Sequence, residues 1–256
     1  MEQLLEDIQP DRDSVFRDLV QEMRDGLICP VLIGSAEKGF GVGRLLKAIR
    51  HECPGIDETG ARLGLEDGED AIAQVLKTLH TPHGGKLSLS RILRGTVAEG
   101  AELLGPAGEA GRVSGVFRVT GAAIQKREAA VAGETVGLGK LDGARTGMTL
   151  STGKRPPVQL LALDPPQPVL GVAVGSAERK DDVKLSTALQ KAIEEDPSLR
   201  VAHVQDTGET VLEGQGEMHL RVALERLSGK YGVAIHTHEP HVPYKETIRG
   251  GVTVRG

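Results

Sequence analysis

The hydrophobic period changes repeatedly between residues 169 and 238, and this succession constrains the fold more than any other feature. Short apolar stretches with strand character alternate with two stretches of helical spacing, and Asp206-Thr207-Gly208 forms a hairpin turn between the middle strands. The resulting order, β-α-β-β-α-β, predicts a ferredoxin-like sandwich over 168–239. The predicted strands cover 169–174, 199–204, 210–212 and 233–238, and the predicted helices carry Leu185 to Ala192 and Met218 to Leu227.

A second block, residues 71–160, lacks helical spacing and has glycine at short intervals. The segment Lys86-Leu87-Ser88-Leu89-Ser90 alternates with period two, as a half-buried strand does. Short strands separated by regular turn signals are typical of a small closed antiparallel β-barrel, which we expect for this block.

The first block, residues 1–57, has the pattern helix, strand, helix, with Cys29 to Ile33 as the predicted buried strand. This pattern is typical of the last part of a parallel α/β sheet. Residues 58–70 are polar and predict a linker, and residues 240–256 predict the beginning of a further domain. The fold class expected for the chain is therefore multidomain α+β.

Composition limits the possible partners. The 256-residue chain has a net charge of −5 and only 2% aromatic residues, which excludes an overall basic nucleic-acid-binding surface and weakens any site based on stacked aromatic rings. Its only cysteines, Cys29 and Cys53, follow no secretory leader, so we expect reduced thiols in a cytoplasmic protein. We expect a monomer without a membrane partner.

Nucleotide chemistry is represented by one weak signal. No window matches Gly-x-x-x-x-Gly-Lys-Ser/Thr, the loop that surrounds phosphates with backbone N–H groups and a lysine. Gly34-Ser35-Ala36 follows the predicted strand, where open α/β sheets bind ligands. Taken alone, the tripeptide is better explained as a tight turn.

Three further groups could form sites. His236 and His238 share one face of a predicted strand and, with His241, could bind a metal, although a solvated edge strand explains them as well. We expect His219 to be a packed histidine rather than a catalytic one. The run from Glu194 to Asp196 lies at a helix C-terminus, where the dipole disfavours negative charge, and we expect it to be solvated.

Several strings together resemble the elongation factor G family of translational GTPases. The resemblance runs through nearly the whole chain, from the end of a GTPase domain through domains II and III to the start of domain IV. Its motifs are Pro30 to Ala36, Thr146 to Leu150, Glu194 to Leu199, Gly214 to Leu220 and Tyr244 to Ile248.

The resemblance implies a ribosome-binding protein that uses GTP and Mg²⁺ when intact. Gly34, Ser35 and Ala36 would touch the guanine as part of an incomplete site, and this chain alone would bind no cofactor. The barrel would dock on small-subunit ribosomal RNA and protein, with Lys126 and Arg127 as candidate phosphate contacts or an ordinary solvated pair. No catalytic residue and no metal ligand is expected within the chain.

Departures from the family pattern favour an elongation factor G-like paralogue over the housekeeping translocase. They are Gly39 for the usual Asn, Gln215 for the usual Met, and Gly175-Ser176-Ala177 for an acidic-Pro-Lys stretch. Two alternatives stay open. One is a ribosome-binding regulatory or protection module without translocase activity, and the other is a metal-binding protein that uses His236, His238 and His241.

Overall fold

The structure is a computed structural model, and it describes residues 11–81, 85–108, 110–121, 123–162, 164–244, 246, 250–251 and 253–254. The chain divides into two compact units, with the boundary between Glu66 and Asp67. Among the described residues, none of the helices is both long and apolar enough to cross a membrane.

The first unit is helical. Helices α1 (Arg12–Arg24) and α2 (Val42–Glu52) pack against each other, and α3 is Ile56–Arg62. A salt bridge of 2.6 Å between Arg24 Nη1 and Glu58 Oε1 connects α1 to α3. Helix α3 overlaps residues 58–70, where we expected only a linker; the Glu58 carboxylate accepts the N–H of Gly55 and completes the first turn.

The prediction of a buried strand at residues 29–33 is wrong. These residues are assigned to neither a helix nor a strand, and the side chains of Val31 and Ile33 are 84% and 92% exposed. In the described part of the chain, the nearest ladder contact is a single bridge between Ser35 and Phe40. An apolar run becomes a buried strand only where a second strand satisfies its N–H and C=O groups, and within the described ranges none pairs with it.

The second unit begins with a curled antiparallel sheet of eight strands in the order β5-β4-β10-β1-β2-β9-β6-β7. Register shifts between Ile72 and Ala73 and between Val75 and Lys77 interrupt the β1–β2 ladder, and such bulges bend a strand. The strands are β1 (Ile72–Thr81), β2 (Gly85–Arg94), β3 (Thr96–Ala98), β4 (Glu102–Leu104), β5 (Ala110–Arg112), β6 (Val116–Thr120), β7 (Ala123–Arg127), β8 (Ala129–Val131), β9 (Thr135–Gly139) and β10 (Thr149–Ser151).

This sheet forms a half-barrel rather than the closed barrel that we expected. The end strands β5 and β7 do not pair with each other among the described residues, and β3 and β8 form a separate two-stranded sheet. A barrel closes only when the strands at the two ends of the sheet pair with each other, and β5 and β7 pair only with β4 and β6 within the described ranges. Aliphatic side chains fill the concave side; the most buried are Ile92, Val97, Leu103, Val113, Val116, Val136, Leu138, Leu141 and Leu150.

The remaining elements follow the order β-α-β-β-α-β, with the four strands arranged antiparallel as β12-β13-β11-β14. Both helices contribute to one core with the sheet, built around Leu189, Leu212, Leu220 and Leu227. The elements are β11 (Leu170–Ser176), the 3₁₀ turn Arg179–Asp181, α4 (Asp182–Glu195), β12 (Arg200–Val204), β13 (Glu209–Gly214), α5 (Glu217–Tyr231) and β14 (Ile235–His238).

Residues after 240, where we predicted the start of a further domain, form neither a helix nor a strand as far as they are described. Lys245, Thr247 and Ile248, which belong to the string quoted for the family resemblance, lie outside the described residues.

Candidate functional site

Gly34-Ser35-Ala36 lies in a tight loop that closes on itself. The Ser35 N–H donates to the Phe40 carbonyl at 2.9 Å, and the Ser35 hydroxyl accepts the N–H of Lys38 at 3.4 Å. A Cβ at Gly34 would lie 2.6 Å from the Phe40 oxygen, so only glycine fits there. The loop therefore needs Gly34 for its own closure.

Ala36 is the residue of this tripeptide whose N–H can still reach a ligand. Its carbonyl accepts the N–H of Gly39 at 3.3 Å, whereas within the described ranges its own N–H donates to no protein acceptor. The Ser35 N–H, in contrast, is already bonded. The loop can offer one backbone donor to a polar ring edge, which is a contact to a base and not a phosphate site.

Lys126 and Arg127 lie together at the end of β7, but each already has an acidic partner. Lys126 Nζ is 2.8 Å from a carboxylate oxygen of Glu99, and Arg127 Nη1 is 2.5 Å from one of Glu134. The Val131 N–H and Arg127 hold the pKa of Glu134 below its usual value. Both cations are surface-exposed, so a phosphate could replace the carboxylates, yet their net positive field is small.

The carboxylate run at the end of α4 is not simply solvated, and that expectation is wrong. Glu194 Oε2 lies 2.9 Å from His80 Nε2 and 3.0 Å from Lys86 Nζ, both on the β1–β2 hairpin. The Lys86 side chain is only 6% exposed and also donates to the Asp142 carbonyl at 2.9 Å. Partial burial acts to raise the pKa of Glu194, but hydrogen bonds from Lys86 and His80 outweigh it and lower that pKa.

Glu195 adds a second connection between the half-barrel and the four-stranded domain. One of its oxygens accepts a hydrogen bond from the backbone N–H of His80 at 2.5 Å. The same oxygen lies 2.5 Å from Lys230 Nζ on α5. The lysines that face Glu194 and Glu195 compensate for the unfavourable helix dipole that the carboxylates meet at the α4 C-terminus. We call the set His80, Lys86, Glu194 and Glu195 the hairpin–helix contact.

His219 is a packed histidine with a defined tautomer. Its Nδ1 accepts the N–H of Gln215 at 3.0 Å, so the proton lies on Nε2, which is 3.1 Å from Asp196 Oδ2. Asp196 also accepts from the Ser198 hydroxyl at 2.6 Å. These contacts connect the end of α4 to the start of α5, and they explain His219 without a catalytic role.

The three histidines near the end of the chain lie side by side, with the ring centroids of His236 and His238 6.2 Å apart and those of His238 and His241 5.4 Å apart. His238 Nε2 and His241 Nδ1 lie 2.7 Å and 2.5 Å from the same oxygen of Glu209, whereas the His236 ring packs over Gly175. Hydrogen bonds from His241 and His238 lower the pKa of Glu209 to about 2. We did not single out Glu209 from the sequence, because strand alternation does not reveal which strands become neighbours.

Comparison with known proteins places this geometry in a family. The model of elongation factor G, domain III, matches residues 165–239. An elongation factor G-like protein of Synechocystis sp. (strain ATCC 27184 / PCC 6803 / Kazusa) is 45% identical over 100% of this chain and 37% of its own length. Elongation factor G of Fervidobacterium nodosum (strain ATCC 35602 / DSM 5306 / Rt17-B1) is 32% identical over 100% of this chain and 39% of its own.

The similarity extends to three dimensions. A crystal structure of a protein from Thermus thermophilus superposes with a TM-score of 0.80 and 33% identity, over 94% of this chain and 36% of the other. The chain thus spans less than two-fifths of the length of each of these three relatives. It belongs to the elongation factor G family and corresponds to a part of a full-length member.

Proposed function

We propose that this chain is part of a ribosome-binding, GTP-dependent translation factor of the elongation factor G type that acts in translocation or ribosome recycling. The observation that carries the proposal is the similarity to an elongation factor G-like protein and to an elongation factor G along 100% of the chain. Residues 1–57 are assigned to the GTPase domain, 58–70 to a linker, 71–160 to domain II, 168–239 to a ferredoxin-like domain III, and 240–256 to the start of domain IV.

In this proposal, the chain takes part in guanine binding without catalysing hydrolysis. Gly34, Ser35 and Ala36 would form the rim of the guanine site, and the Ala36 N–H is the donor that fits this role. GTP and Mg²⁺ belong to the intact factor, because the chain has no Gly-x-x-x-x-Gly-Lys-Ser/Thr segment to hold phosphates. The chain alone should therefore bind guanine nucleotides very weakly and turn over none.

Domain II would contact the small ribosomal subunit, through ribosomal RNA and protein. Lys126 and Arg127 are the candidate phosphate contacts, and each would exchange a glutamate for a phosphate oxygen. Such an exchange preserves the number of ion pairs, so we expect each residue to contribute modestly. The intact factor is proposed to act as a cytoplasmic monomer.

Domain III would transmit the conformational change that follows loss of the γ-phosphate contacts. The hairpin–helix contact supports this role, since Lys86 and His80 join domain II to the end of α4 through charged hydrogen bonds. A rigid connection of this kind lets two domains move as one body. We assign this contact to the coupling of movements in domains II and III.

The factor is proposed to be an elongation factor G-like paralogue. Identity to the elongation factor G-like relative is 45%, compared with 32% to the elongation factor G relative. Gln215 supports a local difference as well, because its side-chain amide donates to the carbonyls of Pro166 and Gln167 at 2.9 Å. A methionine at that position could not make these bonds.

A competition assay tests the proposal. Purified chain 1–256 is added in excess to ribosomes that support GTP hydrolysis by an intact elongation factor G. We expect the chain to inhibit hydrolysis by occupying the same ribosomal site and to show no turnover by itself. Absence of inhibition at saturating chain would contradict the ribosomal role, and turnover by the chain alone would contradict its non-catalytic assignment.

The second candidate, a ribosome-binding regulatory or protection module without translocase activity, predicts the same inhibition. The two candidate functions can be distinguished with the intact protein. Only a translocation or recycling factor would cause GTP-dependent movement of messenger RNA or separation of the ribosomal subunits.

A further inference from the structure

One face of the four-stranded sheet lies opposite the helices, and small residues of its central strand β11 form a shallow trough there. Gly175 pairs with His236 on β14, and Ala173 pairs with His238, so these residues project from the same face. A Cβ at Gly175 would lie 2.3 Å from the His236 ring, which shows how closely that ring covers the strand.

Glu209 reaches the same face from the other side of β11. It pairs with Val204, and its neighbour Thr210 pairs with Val174, so the Glu209 side chain projects opposite to the core residue Val174. Since β11 presents only glycine and alanine between them, Glu209 and His238 meet across the strand at 2.7 Å. A larger residue in β11 would keep them apart.

His241, the third residue of this group, lies in the segment that follows strand β14. After Pro240 the chain turns back, and the His241 N–H donates to Glu209 Oε2 at 3.0 Å. This backbone bond orients the carboxylate and holds the His241 imidazole beside it, with Nδ1 at 2.5 Å from Oε1. The Glu209 side chain is 13% exposed, whereas His238 and His241 are open to solvent.

We propose that Glu209, His238 and His241 form a binding site for a divalent transition-metal ion of the Zn²⁺ class. One ligand atom from each residue lies within 4.8 Å of the others. Tetrahedral zinc with bonds of about 2.0–2.2 Å separates its ligands by about 3.3 Å, so side-chain shifts of about 1 Å suffice. Two imidazoles and one carboxylate favour zinc, cobalt or nickel over magnesium and calcium.

A bound ion would replace the hydrogen bonds that His238 and His241 now make to Glu209. His238 and His241 both now lie within hydrogen-bonding distance of the same Glu209 oxygen. On binding, His238 would ligate through Nε2 and His241 through Nδ1, each imidazole carrying its proton on the other ring nitrogen. A water molecule on the exposed side would complete four-coordination.

The position of the site gives it a structural consequence. Glu209 lies on β13 and His238 on β14, whereas His241 lies in the segment after β14. A bound ion would fasten this segment to the sheet at its point of exit. The proposal does not depend on the ribosomal role.

Zinc titration of chain 1–256 tests the site. Isothermal titration calorimetry with ZnCl₂ should show one ion per chain with a dissociation constant below about 10 μM. Co²⁺ should give the visible absorption of a tetrahedral complex, and Zn²⁺ should raise the melting temperature in a manner reversed by chelator. No binding at roughly 100-fold higher zinc than protein would overturn the proposal.

Variants separate this site from adventitious histidine binding. Glu209→Gln and His241→Gln should each weaken zinc binding at least about tenfold and remove the cobalt absorption. His203→Gln is the matched control, since His203 is an exposed histidine on β12 of the same sheet, and it should leave the affinity unchanged. Circular dichroism checks folding, and Glu209→Gln keeps the residue size. Unchanged affinity in both ligand variants, or equal loss in the control, would refute the assignment.

Discussion

Replacement of Glu194 by glutamine tests whether the hairpin–helix contact holds the half-barrel and the four-stranded domain together. The change keeps the size of the side chain and removes the charge that compensates Lys86, whose side chain is 6% exposed. Losing one partner of a buried ion pair costs about 3–5 kcal/mol. Glu194 is itself 28% exposed, and Lys86 keeps its bond to the Asp142 carbonyl, so we expect about 2 kcal/mol for Glu194→Gln.

The matched control is Glu225→Gln on α5. Glu225 pairs with Arg221 at 3.1 Å, and both side chains are about two-thirds exposed, at 65% and 68%. Such an i,i+4 pair contributes about 0.3–0.5 kcal/mol. The two variants remove the same charge and differ in burial and location.

Urea unfolding monitored by circular dichroism gives the free energies, and a double-mutant cycle with Lys86→Met isolates the pair. Because Lys86→Met removes the stranded charge, the double variant should recover part of the loss, with a coupling of at least about 1 kcal/mol. Limited proteolysis within residues 156–168 should also be faster in Glu194→Gln. A loss below about 0.5 kcal/mol together with coupling below about 0.5 kcal/mol would show that the Glu194–Lys86 pair does not hold the two parts together.

Two further predictions concern the loop and acid stability. Gly41→Ala should destabilise the first unit by more than about 2 kcal/mol, because its φ is 78° and a Cβ would lie 2.5 Å from the Ile33 carbonyl oxygen; Gly39→Ala, with φ 71° and no atom within 4 Å, should cost only about 1 kcal/mol in thermal unfolding. Equal losses would contradict the role of that close approach. The pKa values of Glu194 and Asp196 are lowered from their ordinary values of 4.5 and 3.8. Near those values the folded chain therefore binds fewer protons than the unfolded chain. The free energy of unfolding should thus be complete above about pH 4.5 and fall as the pH decreases below it. Stability in urea that is flat from about pH 6 to about pH 3 would contradict this.

Much of the second unit can be predicted from the sequence because its signals are local. Two helical periods and four short apolar stretches between residues 169 and 238 match α4, α5 and β11 to β14 within a few residues. Glycine and alternating polarity likewise predict strands between residues 71 and 160. The predicted closed barrel is wrong because closure depends on whether the end strands pair, which local sequence signals do not report.

The contacts on which the two proposals depend join residues far apart in the chain. Glu194 and His80 are separated by 114 positions, and Glu209 and His241 by 32. No periodicity reports such pairs, so the carboxylate run was expected to be solvated, and Glu209 was missed. The exposed run at residues 29–33 shows the opposite error, because hydrophobicity indicates that a segment could pack in a sheet but not that a partner strand is present.

Sedimentation with ribosomes decides whether this chain carries a ribosome-binding surface. Purified chain 1–256 is sedimented with ribosomes and with isolated small subunits across a series of salt concentrations. We predict that the chain pellets with both at low salt and that its affinity falls steadily as salt rises, because phosphate contacts release counterions. If the chain stays in the supernatant at low salt, or if its affinity does not change with salt concentration, the proposed binding to ribosomal RNA phosphates is contradicted.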